Sequence, residues 1–423
     1  MDAIKDLTVI LPAGGQGTRL FPLTIDRSKS LIRIGNKPII YLIAEELARQ
    51  GCREFILALQ GTMNRSQLKM AFEHGEGFSR MLNLEPEAEF MMSPPYENVG
   101  NADAIRIVMR YYNITRETLV VMGDSVVNLD LDSLLETHHR QDALLTIALW
   151  EVEDTTGFGV AQLAEDGRIE TFVEKPPPEK APSNLANSGI YVLSPEFCNY
   201  FDDPWIQAQI ESGFFDMGYH MIPFLVEETD RVYGWNLSAH KSPYWNDVGS
   251  PERYRETTQD ILMGRIQNVE FGPEIAPGIH MDETTQRRNA KGLQAGNIIF
   301  RGRALIGKHS LIGPDAVIEN SVIGDTCVIE AGSEIVNSTI MGQTYIGRGV
   351  RAHGTIIGAV CSIGEGSHLR NGSVIGHGSM IAPGSVIGEH EMVAPREAVH
   401  TILETGQYNV VGSDQTNIYF YRK

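Results

Sequence analysis

The 423-residue sequence has only four cysteines, Cys52, Cys198, Cys327 and Cys361, set far apart with no Cys-x-x-Cys pair among them. A disulfide framework or a thiolate metal centre would need them clustered, so they read as reduced packing residues, and a cytoplasmic setting is expected. No long apolar run and no secretory leader pattern is present, so neither export nor a membrane partner is expected. Positive charge is also scarce: 35 Lys and Arg stand against 54 Asp and Glu, for a net charge of −19. Such a chain is not built to bind nucleic acid along its surface, although a local cationic pocket for phosphate stays open to it. Hydrophobic residues at 42% and charged residues at 21% are ordinary for a globular protein, and the length calls for two domains.

The two halves have different periodicities. "DLTVIL" (Asp6–Leu11) is a short apolar run that stops at Pro12 and a glycine cluster, as a buried parallel strand would. "KPIIYLIAEELARQG" has Pro38 near a helix start and Gly51 past its end. "EFILAL" (Glu54–Leu59) and "TLVVMGD" (Thr118–Asp124) read as further strands, which predicts an α/β domain with a mostly parallel sheet. In such sheets ligands bind beyond the carboxyl ends of the strands. From about Asn297 the pattern changes to Ile-Gly steps at Ile306, Ile312, Ile323, Ile346, Ile357, Ile363, Ile375 and Ile387, with Ile329 and Ile335 inside the longest gap. Each gap is a multiple of six residues or one short of it, the hexapeptide period of a parallel β-helix whose stacked coils bury one aliphatic column. The expected division is residues 1–265 as one domain, 266–296 as a polar join, and 297–423 as the β-helix with a C-terminal tail.

The chemistry gathers in "LPAGGQGTRLFPLTIDRSKSLIRIGNKP" (Leu11–Pro38). It lacks the P-loop G-x-x-x-x-G-K-[ST], and Leu20 stands where G-x-G-x-x-G needs its third glycine. The loop still follows a strand, and its backbone N–H groups can form an anion nest. Arg19 offers a bidentate fork and Lys29 a point charge, which together suit a polyphosphate better than a carboxylate. Both read as exposed charges whose removal would leave stability almost unchanged.

The segment "GGQGTRLFPLT…K…KP" resembles the signature of the sugar-1-phosphate nucleotidyltransferases, the sugar-nucleotide pyrophosphorylases. "MGDSVVNLD" (Met122–Asp130), "GFGV" (Gly157–Val160), "FVEKP" (Phe172–Pro176), "NSGIY" (Asn187–Tyr191) and "YWNDVGSPERY" (Tyr244–Tyr254) resemble further family motifs in the family's order. The resemblance implies a Rossmann-like catalytic domain followed by a left-handed β-helix. It also implies transfer of a nucleotidyl group from a nucleoside triphosphate to a sugar 1-phosphate, glucose 1-phosphate first and mannose 1-phosphate second. By the same resemblance Arg19 and Lys29 are catalytic, binding the triphosphate tail and the reacting phosphates. Leu11, Ala13, Gly14, Gly15, Gly17, Thr18 and Gly100 bind the nucleotide. Gly159, Glu174, Lys175 and Asn187 bind the sugar phosphate, and Asp124 and Asp247 hold Mg²⁺. A homo-oligomer through the β-helix is expected, with the apolar stretch Asn320–Gly342 as its surface.

Alternatives stand beside these roles. Asp124, Asp247 and Asn187 could be turn residues. Glu174 and Lys175 are adjacent, so on a strand they would point to opposite faces. His138 and His139 follow an amphipathic pattern and read as ordinary helix residues. Serines flank Lys29, and no glutamine precedes Gly100 to read a base. A catalytically silent regulatory subunit of the same fold, or a bifunctional enzyme with an acyltransferase base among His353, His368, His377 and His390, also fits the sequence.

Overall fold

The computed structural model describes residues 2–72, 75–266, 269 and 271–399; the expected C-terminal tail, 400–423, lies outside the described residues. β1 (Thr8–Ala13) is a buried central strand. It pairs in parallel with β2 (Glu54–Leu59) and with β4 (Thr118–Val121), and β2 pairs in parallel with β3 (Glu89–Met92). The helices α1 (Ile39–Arg49) and α3 (Asn101–Tyr111) make crossovers between these strands, and α2 (Thr62–Phe72) follows β2. Alternate residues of β1 and β2 face opposite sides, so Val9, Leu11, Phe55 and Leu57 enter one core layer while Ile10 and Ile56 enter the other.

The rest of the sheet is mixed. β9 (Leu185–Leu193) pairs antiparallel with β4, with β6 (Leu145–Glu151) and with β7 (Gly159–Leu163), and β7 pairs antiparallel with β8 (Ile169–Glu174). β10 (Val232–Asn236) lies parallel to β6 at the edge. The parallel expectation holds for the strands around the glycine loop. Beyond them the β7–β8 connection is too short for a helical crossover, and a short connection returns a strand antiparallel. A two-stranded ribbon of β5 (Ser125–Asn128) and β11 (Tyr244–Asp247) sets Asp247 directly opposite Ser125. This ribbon brings the second predicted aspartate beside the first.

The expected polar join is structured over residues 271–296. β12 (Glu274–Ala276) pairs with β13 (Ile279–Met281), and β13 pairs in parallel with β14 (Ile299–Ile306). Ile279 and Met281 are buried in the same column as Ile306 and Ile323, so the β-helix sheet begins before residue 297. Two inward residues amid polar neighbours are too few to show a period.

Beyond β14 the chain winds in coils of 17 or 18 residues, as in the register Ile312, Ile329, Ile346, Ile363, Ile381. Every isoleucine of the hexapeptide ladder lies in one buried cluster. At one corner Ser310, Cys327, Thr344, Cys361 and Ser379 stack in a column, each donating to a carbonyl of the next coil, with Ser310 Oγ to Gly324 O at 2.7 Å and Thr344 Oγ1 to Gly358 O at 2.9 Å. Burial pushes the Cys327 and Cys361 thiols up to about 11 and Cys52 up to about 12, which keeps them protonated.

One face of the β-helix packs on the α/β half of its own chain. Met341, Ile356 and Val374 join the same core as Leu23, Tyr254 and Ile261. Helix α5 (Pro251–Leu262) lies at this boundary: Tyr254 Oη donates to Arg33 O (2.6 Å), Arg255 to Gly354 O and Gly372 O, and Gln259 to Asn320 O. The apolar stretch expected to drive self-association is therefore partly covered from within. No helix among the described residues is long and apolar enough to cross a membrane.

Candidate active site

The carboxyl ends of β1, β2 and β4 open into a cleft of about 260 Å³ lined by Ala13, Gly14, Gly15, Lys29, Gly100 and Asp124. Leu11 is buried in β1 beneath it. Gly17 adopts φ +63, a conformation that side-chain-bearing residues rarely hold, and its carbonyl accepts the Thr24 hydroxyl at 2.7 Å. Thr18 opens a short 3₁₀ turn that carries Arg19 outward, its side chain 72% exposed. Gly100 precedes α3 with φ +152, and a Cβ there would stand 2.2 Å from the Phe215 carbonyl oxygen. Only glycine lets these two backbones meet at the cleft wall.

Lys29 departs from its expectation. Its side chain is only 8% exposed, with Nζ 2.6 Å from Asp124 Oδ2 and 3.0 Å from Asp247 Oδ1. Burial alone would lower its pKa, but the two carboxylates outweigh that and hold it above the ordinary lysine value. Arg19 Nη2 reaches Asp247 Oδ2 at 3.5 Å. Both predicted cations and both predicted aspartates thus converge on one point, although they come from the glycine loop, the end of β4 and the end of β11.

Glu174 and Lys175 also differ from the strand expectation. β8 ends at Glu174, and Lys175 takes φ +47, which turns the chain and sets Lys175 Nζ 3.3 Å from Glu174 Oε1. Burial raises the Glu174 carboxyl. For Lys175 burial lowers the pKa, but Glu174 and Tyr219 more than offset it. The Glu174 carboxylate lies between Gly159 and Gly218: a Cβ on either would approach Oε2 to 2.5 and 2.2 Å. Asn187 is held locally, its Oδ1 accepting Gly189 N–H and its Nδ2 donating to Tyr191 Oη, each at 2.9 Å. The segment 215–218 links the two sites, since Phe215 abuts Gly100 and Gly218 abuts Glu174.

The cleft also holds residues that were not anticipated. Gln60, just past β2, lines it and donates from Nε2 to the Asn98 carbonyl (3.1 Å). Asn98 lines it too. Gln60 was legible, because it follows a parallel strand as the glycine loop follows β1; Asn98 sits in an irregular loop and carries no such signal. His138 and His139 are ordinary residues of α4 (Leu131–Arg140): His138 Nδ1 contacts Thr146 Oγ1 at 2.8 Å and His139 Nε2 contacts Glu117 at 2.8 Å.

A cleft at a sheet's carboxyl edge, with converging cations and carboxylates, is the make-up of an α/β phosphoryl-group enzyme, here joined to a parallel β-helix. The chain belongs to the nucleotidyl transferase family, whose profile matches residues 7–264. Residues 289–387 match the profile of the EIF2B subunit epsilon LbH domain, a left-handed β-helix. The chain is 27% identical over 352 residues to a UTP–glucose-1-phosphate uridylyltransferase of Synechocystis sp., covering 82% of this chain and 85% of that protein. It is 28% identical over 353 residues to glucose-1-phosphate adenylyltransferase 2 of Vibrio parahaemolyticus, covering 75% and 84%. A crystal structure from Bacillus anthracis, assigned as a glucose-1-phosphate thymidylyltransferase and solved with sucrose, has the same fold over 63% of this chain and 98% of its own, with a TM-score of 0.52 at 21% identity.

Proposed function

We propose that the protein joins a sugar 1-phosphate to a nucleoside triphosphate, giving a nucleotide sugar and pyrophosphate, with glucose 1-phosphate the favoured sugar phosphate and mannose 1-phosphate the runner-up. The observation that carries this is the Lys29 ammonium held between Asp124 and Asp247 at the cleft. A phosphate oxygen of the sugar attacks the α-phosphorus, and the bond to the bridging oxygen of the departing pyrophosphate breaks. Positioning and charge neutralisation do most of this work. Lys29 and the loop N–H groups offset the charge of the two anions, Arg19 meets the triphosphate tail, and Lys175 and Glu174 hold the sugar phosphate and hydroxyls.

The donor set suits Mg²⁺. Two carboxylates converge, here on the Lys29 ammonium between them, and among the described residues no group of three or more His, Cys, Asp or Glu could form an all-protein cage. Mg²⁺ takes one or two carboxylates and completes its shell with phosphate oxygens and water. When bound it would supply further neutralisation of the reacting phosphates. A silent subunit is disfavoured because Arg19, Lys29, Asp124, Lys175 and Asp247 are all in place. For a homo-oligomer one candidate β-helix surface is the outward ladder of Leu311, Val328, Tyr345, Ser362 and Met380, of which Met380 is 62% exposed.

The test is a matrix of nucleoside triphosphates against sugar 1-phosphates, read as pyrophosphate release with and without Mg²⁺. Asp124→Asn and Asp247→Asn should each abolish synthesis, and the double variant should be scarcely worse than either, because residues acting as a unit are non-additive. No release above background for any pair overturns the reading, and independent, multiplicative losses remove the shared metal site.

A further inference from the structure

His377 belongs to the β-helix, yet one of its partners lies in the loop that carries both active-site cations. Its Nδ1 accepts the Ala359 backbone N–H at 2.8 Å, which places the ring proton on Nε2. Nε2–H then donates to the Leu23 carbonyl at 3.1 Å. The ring is buried. Burial, with Arg27 nearby, lowers its pKa to about 4, so the neutral ring with this single tautomer is the form present near neutral pH.

The bond continues into the site. Thr24, the residue after Leu23, donates its hydroxyl to the Gly17 carbonyl at 2.7 Å. Gly17 in turn backs directly on Lys29: a Cβ on Gly17 would lie 3.2 Å from Lys29 Cβ. Arg19 lies within the same stretch. The other side of Lys29 is tied to the β-helix as well, by Asn36 Nδ2 to Ile323 O at 2.8 Å and by Arg33 to Asp325 at 3.2 Å. The segment from Gly17 to Asn36 is therefore a strap anchored on the β-helix on both sides of Lys29.

We propose that His377 is a positioning residue for nucleotidyl transfer, holding the Gly17–Lys29 loop through Leu23 in the shape that aims Arg19 and Lys29 at the cleft. The inference rests on the reading of that cleft as the triphosphate site. It gives the β-helix a part in the reaction although none of its residues lines the cleft. It also removes His377 from the acyl-transfer bases that the sequence allows, because both ring nitrogens are engaged.

Two substitutions separate this role from a merely structural one. In His377→Asn the amide oxygen can still accept the Ala359 N–H, but the side chain no longer reaches Leu23. In His377→Gln the terminal amide nitrogen can reach Leu23. Backbone hydrogen exchange over residues 17–31 of the full-length protein, without substrate, should be about fivefold faster in the Asn variant, the equivalent of one lost hydrogen bond, and restored in the Gln variant. The triphosphate KM should rise and kcat fall together by about tenfold in the Asn variant, since a small misplacement of charged groups is costly. Thr24→Val, which cuts the next link at nearly constant volume, should speed the same amides. Unchanged exchange in both the Asn and Val variants overturns the proposal, and so does a Gln variant indistinguishable from Asn. The exchange readout needs no turnover, so an inactive parent protein would sink the proposed function while the strap is still decided.

Discussion

The two halves of the molecule bury polar groups in opposite ways. In the β-helix the corner column Ser310, Cys327, Thr344, Cys361 and Ser379 repeats one neutral contact, each side chain meeting the carbonyl of the next coil. In the α/β half Lys29 is buried against two carboxylates supplied by distant strands, with no repeat at all. Neutral hydrogen bonds inside a column satisfy backbone that would otherwise be stranded, and their net contribution is modest. A buried ion cluster is weak support for stability, because desolvation consumes much of the attraction. The repeating arrangement therefore reads as scaffold and the unrepeated one as a site held ready for charged substrates.

The sharpest way to break that contrast is Lys29→Met. Turnover should fall between about 100- and 1000-fold, the loss of one preorganised charge contact. Stability should also fall, by about 1–2 kcal/mol, because Asp124 and Asp247 lose their shared ammonium; the low end is expected as Asp124 is 36% exposed. Arg19→Ala should lower turnover without moving the denaturation midpoint, since its side chain is 72% exposed. Equal stability effects from the two substitutions would mean that burial of Lys29 has no energetic consequence, and the contrast would fail.

This revises what the sequence alone allowed. The resemblance to the family's motifs assigns Arg19, Lys29, Asp124 and Asp247 to one site, but burial is a property of what packs on a residue, and the partners of Lys29 arrive from β4 and β11. Glu174 and Lys175 show the same limit: the period of a strand puts them on opposite faces, and only the positive φ of Lys175 brings them together. The β-helix was far more legible. Each coil repeats the last, so Ile306, Ile312 and Ile323 announce one column through spacing alone. Its first parallel-paired strand, Ile279–Met281, is not legible because a repeat cannot be recognised from a single short copy.

A smaller effect compares one buried histidine from each region. His138 in α4 and His377 in the β-helix both have pKa values lowered to about 4, burial being the main cause. The folded values lie below the unfolded value near 6.5, so the stability they confer is fully present above pH ~6.5 and is lost as pH falls through ~4. By pH 5 each should have cost about 2 kcal/mol relative to neutral pH. Urea denaturation of His138→Gln and His377→Gln between pH 7 and 5 should show a flatter acid limb for each. A limb flattened only by His138→Gln would place the acid sensitivity in the α/β half alone and leave the contact between the halves indifferent to pH.

The smallest effect tests whether the corner column is as interchangeable as its membership implies. The chain itself places serine, threonine and cysteine at successive steps: Cys327 Sγ meets Met341 O at 3.3 Å and Cys361 Sγ meets Gly376 O at 3.1 Å, where Ser310 and Thr344 use hydroxyls. What the column requires is a small side chain that can donate to the next carbonyl. Thr344 also accepts the Cys361 backbone N–H at 3.2 Å, so it satisfies both neighbours. Thr344→Val keeps the volume and loses both contacts, and should cost about 1–2 kcal/mol in chemical denaturation. Cys327→Ser keeps the donor and should stay within about 0.5 kcal/mol of the parent. The Gly358 carbonyl that accepts Thr344 Oγ1 shares a peptide unit with the Ala359 N–H that His377 accepts, yet turnover should follow neither change, because the link to Lys29 runs on through the His377 ring to Leu23 and through Asn36 and Arg33. A loss of turnover in Thr344→Val at full stability would show that the repeating half is not a neutral scaffold, and the distinction between the two ways of burying polar groups would have to be given up.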